Sequence, residues 1–538
     1  MPWTGMVARL ASILLISYWG LFALLSPLTN WDSHVYNLAR LPIAGFGGLF
    51  GNTHWTNPRQ LMFPWSFDAI HLPLISLGFG YGLPSFLCLA GTLAVAWGFL
   101  SRRHGCAAGW MGVLALLALP TLVYQAVITK NDIPVLFGLA VWFHAMRLWR
   151  GDGRRIHLAF AALSIAFMCG AKTSGIIPAA PCFLISAALL RRSRARLAGF
   201  VAATLACCIL MGSAETYVES YRHFGHPMGP VAVVRDQSNR DGLRGAAANV
   251  IRYAMGNIDL GVEIWQHPDR VTPALESSCL RWLPALGMAN AGYRSDFNDG
   301  NMGFLVNFGD AGSNYGPLGT IGLCCVALAA FWWRPGEDWW RMCAFGGLLF
   351  AGICWAVAWM PWNDRFLLVP FAVVSVGFVA LVYRYFPGNQ AVAAGLLALL
   401  LYPAIAYPLV SYNKRPADLI AAVADRPRQE FKERPSMQAV AEGAQDWRAA
   451  HPGGRLYLLA GGESWVLPFF MGSGRDTVPV ETGTLEALLR DGPADGRPSA
   501  LLILNRPDFL ATGTPLTVIR TFSGEASTEL CEIALRRQ

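Results

Sequence analysis

The chain has 538 residues, of which 54% are hydrophobic and only 14% charged, with a formal net charge of +8. That composition is too apolar for a soluble enzyme and fits a protein that crosses a membrane many times. The positive charge is split into short Arg clusters between hydrophobic runs, which excludes the continuous basic surface of a nucleic-acid binder.

A spanning helix needs about 20 mainly apolar residues. Eleven segments fit: 7–28, 82–101, 108–127, 133–149, 156–172, 175–190, 197–215, 316–333, 341–360, 366–384 and 391–410. The first lacks a small-residue cleavage site and reads as a retained helix rather than a signal peptide. Arg9, Arg102–Arg103, Arg147 to Arg155, Arg191 to Arg196, Arg334, Arg341 and Arg384 fall in one set of short connections. Basic residues mark the cytoplasmic side. The other set, 29–81, 128–132, 216–315 and the tail from 411, then faces outward, with the N-terminus inside and the C-terminus outside. All four lysines, Lys130, Lys172, Lys414 and Lys432, fall on or near that outer face, against the usual trend.

Within the first outer segment, Leu41 to Phe50 and Pro64 to Leu77 read as short interfacial helices, with Trp31, Trp55 and Trp65 as anchors. The 216–315 segment is polar and drapes over the outer face. The tail changes character. Residues 411–453 are helix-like and charged. The runs at 455–460, 477–480, 500–504, 516–522 and 529–535 then read as strands, with a helix at 485–490 between them. This predicts a small α/β domain with a central sheet. Gly461–Gly462–Glu463 lacks the spacing of a dinucleotide fingerprint. Most of the twelve cysteines sit inside apolar spans as small core residues, and none has zinc spacing. Cys279 and Cys531 lie in outer segments, which leaves room for a disulfide.

The chemistry-bearing residues gather at the outer ends of helices. Asp32 follows the first span, in Trp31–Asp32–Ser33–His34–Val35–Tyr36–Asn37–Leu38–Ala39–Arg40. If that stretch is helical, Asp32 and Tyr36 share a face, as do Tyr36 and Arg40. A carboxylate against an apolar wall can act as a general base near neutral pH. A helix cap or an interfacial salt bridge to Arg40 explains it as well. Arg59 has the fork geometry for a phosphate, or snorkels at the surface. Asp68 and His71 stand at i, i+3, as weak metal ligands or as the polar edge of an interfacial helix. Lys130–Asn131–Asp132, Lys172 and Asn363–Asp364–Arg365 are three polar knots on the same side as Asp32. Ionisable groups at that depth are costly and usually functional.

Taken in order, these stretches resemble the GT-C superfamily of membrane glycosyltransferases that use polyprenyl-phosphate sugars. The resemblance is to family-39-like members, protein O-mannosyltransferases and lipid A aminoarabinose transferases. It is carried by Trp31 to Arg40, Asn57–Pro58–Arg59–Gln60–Leu61, Gln125 with Lys130–Asn131–Asp132, and Ala171–Lys172–Thr173. Phe224–Gly225–His226–Pro227–Met228–Gly229–Pro230 and Trp362–Asn363–Asp364–Arg365 complete it, with a weaker echo at Tyr412 to Pro416. It implies an inverting transfer from a polyprenyl-phosphate-linked sugar to an envelope acceptor, whether glycan, lipid or protein, at the outer face of the cytoplasmic membrane. Asp32 would be the catalytic base, with Asp132 the second acid, supporting acceptor or donor binding. Arg40, Arg59, Lys172 and Arg365 would stabilise the departing lipid phosphate. His34, Tyr36 and Lys130 complete the expected substrate-binding set.

Asp32 is followed by Ser33 where many relatives carry a second acid. Asn37–Leu38–Ala39–Arg40 replaces the usual His-Leu-Pro-Arg. Met62–Phe63–Pro64–Trp65 stands where aminoarabinose transferases have a metal-linked Glu-Lys pair. A divalent metal ion is therefore an open question, with Asp68 and His71 its only candidates, and no other cofactor is implied. The expected fold is an α-helical polytopic membrane protein. Residues 1–415 form its GT-C-like catalytic domain and residues 416–538 an extracytoplasmic α/β domain. Two other readings compete: a non-catalytic envelope glycan assembly or binding protein, and a lipid-linked glycan transporter. A transporter predicts mid-span charges and repeat symmetry, and the sequence shows neither.

Overall fold

The computed structural model describes residues 2–28, 31–41, 57–77, 80–258, 271–288, 291–292, 315–410, 414–425, 430–432, 434–461, 464–469, 477–479, 497–504, 517–521 and 529–532. The chain folds as two compact units. The first comprises Met1–Leu24, Gly82–Ala214 and Val231–Leu419; the second comprises Leu25–Tyr81, Glu215–Pro230 and Ile420–Gln538. The 29–81 segment thus groups with the tail rather than with the helices it interrupts.

The first unit is helical. Among the described residues, six helices are long and apolar enough to cross a membrane: Trp3–Leu25, Leu83–His104, Thr173–Leu190, Asp338–Ala356, Arg365–Tyr385 and Gln390–Leu409. Leu14, Leu184 and Leu205 lie near the middles of their helices and are 60–70% exposed, at 70%, 65% and 61%. Outward leucines at such positions are what a bilayer would cover.

The expected 108–127 span is not one helix. It breaks into Cys106–Leu117 and Pro120–Ala126, bent by 77°. Pro120 is the cause. It has no N–H to continue the ladder and pushes the preceding residue out of helical geometry, and Leu119 is extended, at φ −90° and ψ 105°. Asp132–Asp152 packs antiparallel to Arg155–Ala171. Gly138 permits the close approach: a side chain there would meet the Ser164 carbonyl and Met168. The polar 216–315 segment carries the helices Val231–Gln237, Gly242–Gly256 and Val271–Ala285. Cys279 is buried in the last of these.

The second unit is built on a five-stranded sheet. Its strands are β1 Arg455–Ala460, β2 Thr477–Pro479, β3 Ser499–Leu504, β4 Thr517–Thr521 and β5 Glu529–Glu532, in the order β2-β1-β3-β5-β4. β2, β1 and β3 run parallel, while β5 is antiparallel to both β3 and β4. Leu456 to Ala460 and every residue of β3 are buried. That is the continuous apolar signature of strands covered on both faces. One core joins the sheet to the 29–81 segment: Val35, Leu38 and Leu41 share it with Trp447, Trp465, Leu458 and Leu502. All five expected strands are present. The expected helices at 41–50 and 485–490 lie outside the described residues, Leu41 apart.

Candidate active site

In the first unit the three polar knots form around one ion pair. Asp132 opens the helix Asp132–Asp152 and Lys172 follows the last turn of Arg155–Ala171. A carboxylate at a helix N-terminus and an ammonium at a C-terminus are each favoured by the helix dipole. The antiparallel packing brings them together, and Lys172 Nζ donates to Asp132 Oδ1 at 2.5 Å. Lys172 itself is extended, at φ −157°, which ends the helix. The chain then turns tightly through Thr173–Gly175, where a side chain at position 175 would strike the Met168 carbonyl. Only glycine fits that turn, so Gly175 sets the position of Lys172.

The neighbours tighten this cluster. Asn131 Nδ2 donates to the Ala171 carbonyl at 2.8 Å, satisfying the end of the second helix. Lys172 Nζ lies 4.5 Å from the centre of the Phe366 ring, and the Arg365 guanidinium 5.6 Å from the same ring. Two cations therefore share one aromatic surface. Asn363, wholly buried, donates to the Ala358 carbonyl at 2.9 Å and holds the turn ahead of Arg365. Lys130 is also buried, and its carbonyl accepts from Ser85 Oγ at 3.5 Å. Asp132 Oδ2 has no hydrogen-bond partner among the described residues, and neither does the fully buried amide of Gln125. Buried polar atoms left open in this way are where a ligand or water completes the structure.

The second unit holds the other candidates. The stretch after Asp32 is not an α-helix. Ser33–Asn37 is π-helical, with Leu38 N–H donating to the Ser33 carbonyl at 3.3 Å, so the i, i+4 alignment of Asp32, Tyr36 and Arg40 does not hold. Asp32 is half-buried at the start of this turn and its side chain makes no capping bond. His34 is fully buried. Its Nε2 is 2.9 Å from the Leu28 carbonyl, and its ring stacks on Trp465 at 4.2 Å. Burial pulls its pKa down to about 4, so the ring is neutral at physiological pH.

Arg40 and Asp68 form a second buried ion pair. The Arg40 guanidinium also donates to the Phe63 carbonyl and to the Pro64 carbonyl, the latter at 2.6 Å. Arg40 thus pins the turn between Gln60 and Asp68. Arg59 lies over the Tyr36 ring at 5.5 Å, and Tyr36 packs edge-on against Phe63. Trp65 donates its indole N–H to Glu215 at 2.9 Å. The Phe224–Pro230 turn lies against Met62. Asp68 and His71 are both buried; the Asp68 carboxylate is engaged by Arg40, and the His71 ring packs against Phe67 at 5.2 Å. No group of three His, Cys, Asp or Glu converges for a metal among the described residues.

No family model matches the chain, and no curated protein matches it. Among solved structures, ArnT from Cupriavidus metallidurans bound to undecaprenyl phosphate aligns over 99% of both chains, with 13% identity and a TM-score of 0.50. The chain has the GT-C fold. The apo state of the same ArnT also aligns over 99% of both chains, with 14% identity and a TM-score of 0.47. Its apolar helices and this fold make it a multi-pass membrane protein.

Three polar residues carry no role from sequence: the buried Gln125 and Lys414 and the half-buried Glu215. Gln125 sits on the short helix that Pro120 creates. Glu215 was read as the end of a span. Lys414 is fully buried beyond Gln390–Val410, and its carbonyl accepts from the Tyr18 hydroxyl at 2.7 Å. The scarcity of lysine was the available signal for Lys414.

Proposed function

We propose that the chain is an inverting glycosyltransferase that moves a hexosyl or pentosyl unit from a polyprenyl-phosphate donor to a hydroxyl of an envelope acceptor at the outer membrane face. The observation that carries this reading is the Asp132–Lys172 pair with Arg365 sharing the Phe366 ring. In a GT-C fold, that cluster supplies cations where a lipid phosphate leaves. The fold relative bound to undecaprenyl phosphate supports a polyprenyl lipid as the donor class.

In this mechanism Asp32 accepts the proton of the acceptor hydroxyl as its oxygen attacks the anomeric carbon. The bond from that carbon to the phosphate oxygen breaks on the opposite face, and the configuration inverts. Lys172 and Arg365 stabilise the charge that develops on the departing phosphate. Asp132 holds the Lys172 ammonium in place through Oδ1, leaving Oδ2 for a sugar hydroxyl. Lys130 and Arg59 add positive charge for the phosphate, with Tyr36 positioning Arg59. Arg40 and His34 act as positioning residues through the contacts already described.

The test is transfer by the purified full-length protein in nanodiscs, comparing wild type with Asp32→Asn. Loss of at least 100-fold in Asp32→Asn, with an unchanged thermal midpoint, is the expected result. Equal transfer by both would remove Asp32 as the base.

A further inference from the structure

The first unit contains a cavity of about 600 Å³ that the transfer reading does not use. It runs beside Asp132–Asp152, from Leu136 near the first turn to Arg147, Arg150 and Gly151 in the last. At a rise of 1.5 Å per residue, Leu136 and Arg150 are roughly 21 Å apart along the helix. The inner wall is apolar, with Leu116, Leu139, Phe143 and Val376 among its residues.

The far end is strongly cationic. Arg103, Arg147, Arg150 and Arg341 line it, against the single carboxylate of Asp338. Four positive groups and one negative leave an excess of three. Asp338 is already shared, lying 3.3 Å from Arg103 and 3.6 Å from Arg341. Arg147 and Arg150 have no carboxylate within ion-pair distance among the described residues, and Arg147 packs over the Phe99 ring at 5.9 Å. Guanidinium groups gathered without counter-ions form a phosphate site. An apolar channel leading away from them holds a hydrocarbon chain.

We propose that this cavity binds an anionic phospholipid of the bilayer, with its phosphate at Arg147 and Arg150 and an acyl chain along the channel toward Leu136. The site is distinct from the transfer site. Asp132 and Arg150 are 18 positions apart on one helix, about 27 Å, so a phosphate at Arg150 cannot be the one that reacts. The inference therefore stands whether or not the transferase reading does. The lipid would wedge Leu83–His104, Asp132–Asp152 and Asp338–Ala356 at the end of the unit away from Asp132.

The experiment uses the full-length protein, stripped of lipid in neutral detergent, with native mass spectrometry as the readout. Phosphatidylglycerol and phosphatidylcholine of the same chain length are the probes, and inorganic phosphate is the competitor. Wild type is expected to retain one phosphatidylglycerol at least tenfold better than phosphatidylcholine, undisturbed by millimolar phosphate. Arg147→Gln with Arg150→Gln removes the head contacts, and Ala140→Phe fills the channel without changing charge; each is expected to lower retention at least tenfold. Arg191→Gln with Arg192→Gln, outside the cavity, should leave retention unchanged. Equal retention of the two lipids, displacement by inorganic phosphate, or retention unaffected by Ala140→Phe would each overturn the proposal.

Discussion

Two ion pairs, one in each unit, are finished to different degrees. In the second unit, Arg40 donates to Asp68 and to the Phe63 and Pro64 carbonyls, and the two side chains are 5% and 0% exposed. In the first unit, Lys172 meets Asp132 through one oxygen only. The lysine side chain is 20% exposed and Asp132 Oδ2 stays open. A fork-shaped guanidinium can close off a turn completely, whereas an ammonium is a point charge that can exchange partners. Under the proposed function, the satisfied pair would serve as framework and the open pair would be available for substrate.

The sharpest way to break that contrast is to remove one cation from each pair. Arg40→Ala should cost about 3–5 kcal/mol of stability, because it strands a buried carboxylate and two carbonyls. Denaturation in a defined detergent measures it, and a loss below about 1 kcal/mol would make Arg40 a ligand group rather than framework. Lys172→Met combined with Asp132→Asn should instead lower transfer by about 10²–10³-fold, with the donor KM and kcat measured separately and the thermal midpoint close to wild type. Transfer within tenfold of wild type would place the leaving phosphate elsewhere.

A third expectation concerns acid. The His34 pKa falls from its usual value near 6.5 to about 4 in the folded chain. The unfolded chain therefore binds the extra proton first as pH drops. Stability from this group is intact above pH 6.5 and is lost progressively down to pH 4, by roughly 3 kcal/mol. His34→Gln should flatten that part of the pH–stability profile, and an unchanged slope would relocate the acid-sensitive group. The smallest effect belongs to Trp65→Phe. Losing the hydrogen bond to Glu215 should cost about 1–2 kcal/mol and leave transfer within a few fold.

Much of this arrangement was readable from the chain. The eleven apolar runs are mainly helical, because length and hydropathy dominate that choice, although 108–127 and 197–215 each break into two helices, bent by 77° and 64°. The five strands were legible from short β-rich runs bounded by turns. Sidedness singles out Lys130, Asp132, Lys172 and Arg365, and the structure pairs Asp132 with Lys172 and sets Lys172 and Arg365 over one ring. Other features depend on contacts that no spacing reveals. A π-helical turn at Ser33–Asn37 undoes an i, i+4 argument. Arg40 faces the Phe63–Asp68 turn because residues 23 to 28 positions away fold back over it. Pro120 could have been recognised as a break, since a proline within a continuous apolar run interrupts the helical ladder wherever nothing replaces its missing donor.

The most direct measurement is transfer by the wild-type protein itself. Purified full-length chain in nanodiscs would be offered radiolabelled polyprenyl-phosphate hexoses and pentoses together with extracted envelope fractions. The account predicts that label from at least one donor moves to an acceptor hydroxyl, with inverted anomeric configuration and release of polyprenyl phosphate. Donors that cross the bilayer intact, with no label transferred from any of them, would contradict it and make the chain a carrier of lipid-linked sugars instead.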